Sequence, residues 1–261
     1  MAGSISDYLE NKWLDHVLQG SAFTQPTNLY LALSTADPTD DGASIAEPVG
    51  NNYARAQCDA AWAAAAARAI TTDTDITFNQ ASGAWGTITH WALFDHISAG
   101  EMLAHGDFTA SKVIGNGVTP KVTAGNLTVT VVTGAQTTAM ANKLLDHTMK
   151  GTAFTQPTTI YIGLSTADPT DDMSGLAEPG SGAYAREEHA SWTVTASAAE
   201  NNGAITFTTA TGSWGTIAHH FLADALTAGN YLYYGPLDAS QAITTDDIVN
   251  YVSGALDITQ Q

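Results

Sequence analysis

Leu33 to Asp41 reads LSTADPTDD, and Leu164 to Asp172 reads LSTADPTDD again. Working outward, AFTQPT at Ala22 to Thr27 returns at Ala153 to Thr158. Tyr53-Ala54-Arg55 returns as Tyr184-Ala185-Arg186, Trp62 as Trp192, and Ile76-Thr77-Phe78 as Ile205-Thr206-Phe207. Trp85-Gly86-Thr87-Ile88 returns as Trp214-Gly215-Thr216-Ile217, with His90 matched by His219. Leu33 and its twin lie 131 positions apart, and Ile76 and its twin 129 apart. A match this collinear is a whole-module duplication, unlike the short period of a solenoid. The expected units are residues 1–134 and 135–261.

Each copy opens on a helical stripe. Ile5, Leu9 and Trp13 recur every four residues, with Leu14 and Val17 widening the face. Ser4 or Ser6 is placed to cap this helix and Gly20 to end it. Met140, Leu144, Leu145 and Met149 repeat the stripe before Gly151. A half-buried strand follows, with Leu29, Leu31 and Leu33 alternating with Tyr30 and Ala32. Asp37-Pro38 then breaks the chain. Short strands are expected at 54–62, 75–78, 88–95, 101–107 and 126–132, with turns at Ser82-Gly83, Ala99-Gly100 and Asn116-Gly117. This spacing predicts a mainly β protein: two tandem antiparallel β-sandwich domains, jelly-roll-like, each opened by a short α-helix.

The chain carries 26 acidic and 8 basic residues, a formal charge of −18. Such a surface repels nucleic acid and anionic membranes, and no apolar run approaches the twenty residues a membrane helix needs. Cys58 is alone, so it reads as a small buried apolar residue. No phosphate loop, paired-cysteine metal site or nucleophile elbow is present. No catalytic residue and no cofactor are expected. Asp37, Asp40 and Asp41, with Asp168, Asp171 and Asp172, are the candidate calcium ligands, but they lack an alternating-carboxylate loop and read first as solvated turns. His90 and His219 each stand five residues before an aspartate, Asp95 and Asp224. An odd separation puts the two side chains on opposite faces of a strand, which argues against a dyad.

Aromatics kept in both copies (Trp62, Trp85, Tyr30, Tyr53 and their twins) read as core. Those found in one copy are better contact candidates. Tyr231, Tyr233 and Tyr234 occur only in the second copy. Trp13, Lys112 and Lys121 single out the first copy as the docking half.

The runs LYLALSTADPTDDGASIAEPVGNNYAR (Leu29 to Arg55), GTITHWALFD (Gly86 to Asp95) and GNLTVT (Gly125 to Thr130) resemble a bacteriophage family of tail-fibre or virion structural proteins. The second copy fits the pattern except at Ala223, where the first has Phe94. The resemblance implies a non-enzymatic virion component, made in the host cytoplasm and carried on the outer particle surface. Joined equivalent modules gain effective concentration on a repetitive surface. That suits a capsid decoration (cement) protein bound to the major capsid protein. A tail, collar or tail-fibre-associated protein and a host-glycan-binding module are the other two readings. A homo-oligomer, such as a trimer, would present six similar domains.

Overall fold

A computed structural model describes residues 1–260. In the first half the elements run β1 (Ala2–Ile5), α1 (Asp7–Leu18), β2 (Tyr30–Ser34), β3 (Ala56–Gln57), β4 (Ala69–Thr71), β5 (Ile76–Thr77), β6 (Gly86–Phe94), β7 (Met102–Ile114), β8 (Lys121–Val122) and β9 (Thr128–Thr130). The second half runs α2 (Thr138–Met149), β10 (Tyr161–Ser165), β11 (Glu187–Glu188), β12 (Trp192–Thr195), β13 (Ala198–Asn201), β14 (Ile205–Thr206), β15 (Gly215–Ala223), β16 (Tyr231–Ile243), β17 (Asn250–Tyr251) and β18 (Asp257–Thr259). The protein is thus two β-rich tandem modules, each with one helix near its start.

Module one is built on a sheet of order β3-β2-β6-β7-β1-β9-β4, antiparallel except where β1 runs parallel to β9. Module two has two sheets instead, β11-β10-β15-β16 and β12-β13-β18; β1 has no strand counterpart there among the described residues, and β12 answers to isolated bridges at Trp62 and Ala66 in module one. The helices obey the sequence signals. The Ser6 hydroxyl accepts from Leu9 N–H, and Thr137 does the same for Met140. Gly20 and Gly151 leave each helix with φ of 67° and 68°, a conformation that costs glycine nothing. Leu9, Trp13, Leu14 and Val17 are buried on one face of α1.

Several strands differ from expectation. β1 precedes the first helix, where none was foreseen. The strand expected over 54–62 shrinks to Ala56–Gln57, whereas β7 runs on to Ile114. Furthermore, β2 is buried on both faces. Ala32 packs with Ala92, Phe94 and Met102 beneath Ile45, a residue of the loop after β2.

The motif residues lock that loop down. Arg55 donates from Nη2 to Glu47 Oε1 at 2.7 Å and from Nη1 to the carbonyls of His96 and Ala99. Its guanidinium lies 3.5 Å from the Phe94 ring centre. The Tyr53 hydroxyl donates to Glu47 and accepts from Leu33 N–H. Arg186, Glu178 and Tyr184 repeat this arrangement, with Arg186 Nη1 donating to Ala225 and Ala228 carbonyls. The AEP and YAR segments therefore serve one knot that ties three loops.

The departure at Ala223 is a compensated exchange. Phe94, Ala92 and Ala32 of module one become Ala223, Phe221 and Gly163. The ring moves two residues along the strand and stays on the same face. It fits because Gly163 has no Cβ: one built there would lie 2.1 Å from Phe221 Cζ. Gly163→Ala should cost about 2 kcal/mol by overpacking, seen as a melting point lower by about 4–8 °C. Adding Phe221→Ala and Ala223→Phe together, which restores the Ala32, Ala92 and Phe94 set of module one, should return part of the loss; an unchanged melting point for the single variant would refute the packing account.

The two modules meet through reciprocal contacts, as across a twofold axis. Phe23 N–H donates to His16 Nδ1 at 3.0 Å, so the assigned tautomer carries its proton on Nε2, 3.0 Å from the Phe154 carbonyl of module two. His147 does the converse, with Nε2 2.9 Å from the Phe23 carbonyl. The two imidazoles stack with centres 5.3 Å apart. Gln25 donates to the Gly151 carbonyl and Gln156 to that of Gly20. The repeated AFTQPT run thus stitches the halves together.

Each module also presents a two-residue hairpin turn with both residues at positive φ, Ala67 and Arg68 in one, Ala196 and Ser197 in the other. Such turns favour Asn and Gly. Here an asparagine from the opposite helix holds them: Asn142 Oδ1 accepts Arg68 N–H at 2.9 Å, and Asn11 Oδ1 accepts Ser197 N–H at 3.0 Å. The main apolar core runs through both modules, with the Ala32 cluster beside it in module one.

Candidate interaction site

Lys112 and Lys121, chosen from sequence for their charge, come together at one cleft of module one. Phe108, Ala110, Lys112 and Ile114 alternate along β7 and so present one face to it. Leu33, Phe78, Ile88 and Val122 complete the apolar wall, and the cavity holds about 180 Å³. Lys121 Nζ pairs with Asp75 Oδ2 at 2.8 Å. That hydrogen bond, with a second from Ala124 N–H, holds the Asp75 carboxyl below the usual range. Lys112 makes no ion pair among the described residues and is exposed.

Module two keeps the wall and changes the rim. Leu164, Phe207, Ile217 and Ile243 match Leu33, Phe78, Ile88 and Ile114. However, Gln241 stands for Lys112, Asn250 for Lys121 and Ala204 for Asp75. Tyr251 replaces Val122, and its ring centre lies 6.5 Å from Phe207 and 6.0 Å from His220. Tyr251 thus stands where the first module has Val122, while Leu237 stands for Phe108 and His220 for Trp91.

Two other contact candidates are corrected. Trp13 is fully buried between the modules, with Nε1 donating to Thr148 Oγ1 at 2.9 Å. Its place on the apolar stripe of α1, which packs on β12 and β13 of the other module, leaves it nothing to offer a partner. Tyr233 is also fully buried, at the position where module one has Ala104. Tyr231 is half-buried, its ring 5.6 Å from Phe221 and 5.5 Å from the Arg186 guanidinium. Tyr234 donates to Asp171 Oδ1 at 2.5 Å. These three tyrosines therefore form no open platform of the kind a sugar would stack on.

The acidic residues have local duties. Asp37 and Asp168 each accept a backbone N–H two residues on, at Thr39 and Thr170. Asp41 accepts from the Thr39 hydroxyl and the Ala43 N–H, which draw its carboxyl below the usual range, and Asp172 accepts from the Ser174 hydroxyl and N–H and from the Thr170 hydroxyl, which draw it down to about 2. Asp40 meets His105 at 2.7 Å. Asp171 lies 3.7 Å from Arg68, a residue of module one that also donates to the linker carbonyls of Val131, Val132 and Gln136. Among the described residues no group of three or more His, Cys, Asp or Glu side chains is arranged to hold a metal ion.

Neither histidine meets the aspartate five residues on. His90 Nε2 is 3.2 Å from Asp107, and Asp95 accepts the Glu101 N–H in a turn. His219 is 4.0 Å from Asp168, and Asp224 accepts the Asn230 N–H. Cys58 is buried, and burial pushes its thiol up, so it is inert as a nucleophile. Sequence reasoning assigned no role to Asn11, Asn142, His16 or His147. Their signal was recurrence at one fixed spacing on the helices, which the repeat already contained.

Two β-rich modules, a loop knot in each and one cleft rimmed by lysines are thus the features that the described residues present. A family model described as the Podophage GP4 fiber I protein gp80 matches residues 4–130 and again 135–259. The chain belongs to that family, in two tandem copies, and is a structural protein of the bacteriophage virion. No curated protein matches it.

Proposed function

We propose that this protein is a tail-fibre-associated component of the phage particle, docked through module one, with other virion proteins as its partners. The family's description as a fibre protein is the observation that favours the tail over the head. A cement role on the major capsid protein would call for the same fold and charge, so neither of those favours it. The cleft carrying Lys112 and Lys121 supports docking by module one: the surrounding surface belongs to a chain of charge −18, and this rim departs from that sign.

The test is localisation on the particle. Antibody labelling of an epitope-tagged chain, read by electron microscopy, should mark the tail with a small count per particle. Labelling spread over the head in hundreds of copies would overturn the proposal in favour of decoration. Particles lacking the protein should assemble with unchanged heat resistance and adsorb poorly.

A further inference from the structure

We infer that the module-one cleft receives one aromatic side chain, carried next to a carboxylate on a virion partner protein. This deepens the docking proposed above and rests on that reading. Three observations carry it.

The first is size. About 180 Å³ is below the 300–1,000 Å³ typical of cofactor and small-ligand pockets. It suits a single anchor residue, the usual nucleus of a protein interface. The second is the twin. The modules keep Leu33, Phe78, Ile88 and Ile114 as Leu164, Phe207, Ile217 and Ile243, yet at the Val122 position module two supplies Tyr251, which is only 9% exposed. The modules therefore place their rings differently: module one has Phe108 and Trp91 where module two has Leu237 and His220, and it has no ring at the Val122 end of the cleft. The third is charge. Lys112 and Lys121 stand at this rim, and both become neutral amides in module two, where the ring is internal. All three arginines are engaged in buried contacts elsewhere. A carboxylate beside the incoming ring would meet Lys112, which has no ion-pair partner among the described residues, and would share Lys121 with Asp75.

A second copy of this chain is not the occupant. Its exposed large hydrophobics are all aliphatic, Val113 and Val49 among them, so it offers no free ring.

The probe is 3-phenylpropionate, an aromatic ring tethered to a carboxylate, titrated at millimolar concentration into the full chain with 13C-labelled methyl groups. Saturable shifts are expected at Ile88, Ile114 and Val122, without matching shifts at Ile217 and Ile243. The uncharged 3-phenylpropionamide should bind about two- to fivefold more weakly, as loss of an exposed ion pair implies. Lys112→Gln with Lys121→Asn, which copies the module-two rim at exposed positions, should erase that difference between acid and amide. Val122→Tyr, which copies the module-two wall, should abolish the shifts. No shifts at all, equal shifts in both modules, or shifts that persist in Val122→Tyr would each overturn the inference. If Val122→Tyr does not fold, the double lysine variant decides: an acid preference that survives it overturns the inference. These readings need no particle. Loss of the cleft result with tail labelling intact would sink only this inference, and head labelling with the cleft result intact would sink only the placement.

Discussion

Glu178→Ala is expected to lower the melting point by about 6–12 °C, from a loss of about 3 kcal/mol. The reason is what stays behind. The Arg186 side chain is only 3% exposed, and it donates to Glu178 through Nε at 2.9 Å and through Nη2 at 2.9 Å. Its Nη1 is held by the Ala225 and Ala228 carbonyls, so the guanidinium cannot follow water outward without releasing that loop. Burial works against the charge on Arg186, and the hydrogen bonds and attraction of Glu178, joined by those of Tyr231, outweigh it, so its pKa is raised. Removing Glu178 leaves a buried cation unpaired and deprives the Tyr184 hydroxyl of its acceptor. The figure sits at the low end for buried pairs because Glu178 is itself 25% exposed. Glu178→Gln keeps an acceptor and should lose less than half as much. A scan placing Glu178→Ala within about 1 kcal/mol of the parent would mean the knot is ornamental.

The second large effect is in pH. Burial, with Asp40 and Asp7 nearby, pushes Glu10 up to about 7, although a hydrogen bond with Ser197 of the other module pulls the other way. A raised carboxyl favours the fold when protonated. Its cost is absent below the ordinary value near 4.3, and grows as pH rises to about 7. Glu10→Gln should therefore match the parent at pH 4.5 and exceed it by about 2 kcal/mol at pH 8. His220 has the opposite sign. Burial, then neighbouring His219, pushes it down to about 4 against a weaker pull from Asp238. Stability is then lost as pH falls from about 6.5 to 4, by up to about 3 kcal/mol. His16 leans the same way, lowered by burial and by His147 against its bond to the Phe154 carbonyl. The parent should hence show a shallow profile between pH 4.5 and 6.5. In Glu10→Gln the same acidification should be plainly destabilising, and in His220→Gln it should be stabilising. Parallel curves for parent and variants, by thermal unfolding across pH, would contradict the assignment.

Much of the fold was legible because its signals are local. Helix α1 follows from Leu9, Trp13, Ser6 and Gly20, and β6 from its alternation and its Asp95 turn. The distal part of β7 was not legible, since Thr109 to Lys112 carries no apolar alternation and pairs because β6 holds it. The cleft was half legible: the lysines stood out by charge, but nothing in the sequence brought Phe108 opposite Val122. The misplaced Trp13 and Tyr233 share one cause. Uniqueness to a copy does not mark exposure, because each fills space that differs where the two halves meet, or where β16 packs differently from β7. The role of AFTQPT was hidden for the same reason, since its partners lie more than a hundred residues away.

The reciprocal stitching of the two halves bears on how such a molecule can change over generations. A dimer of identical chains cannot acquire a feature on one protomer alone, because one coding sequence writes both faces at once. Here the partners share a polypeptide while keeping the contacts of a symmetric pair. Val122 and Tyr251, or Lys112 and Gln241, are consequently free to diverge without disturbing His16 against His147. Fusion turns a body with two equivalent faces into one with a front and a back.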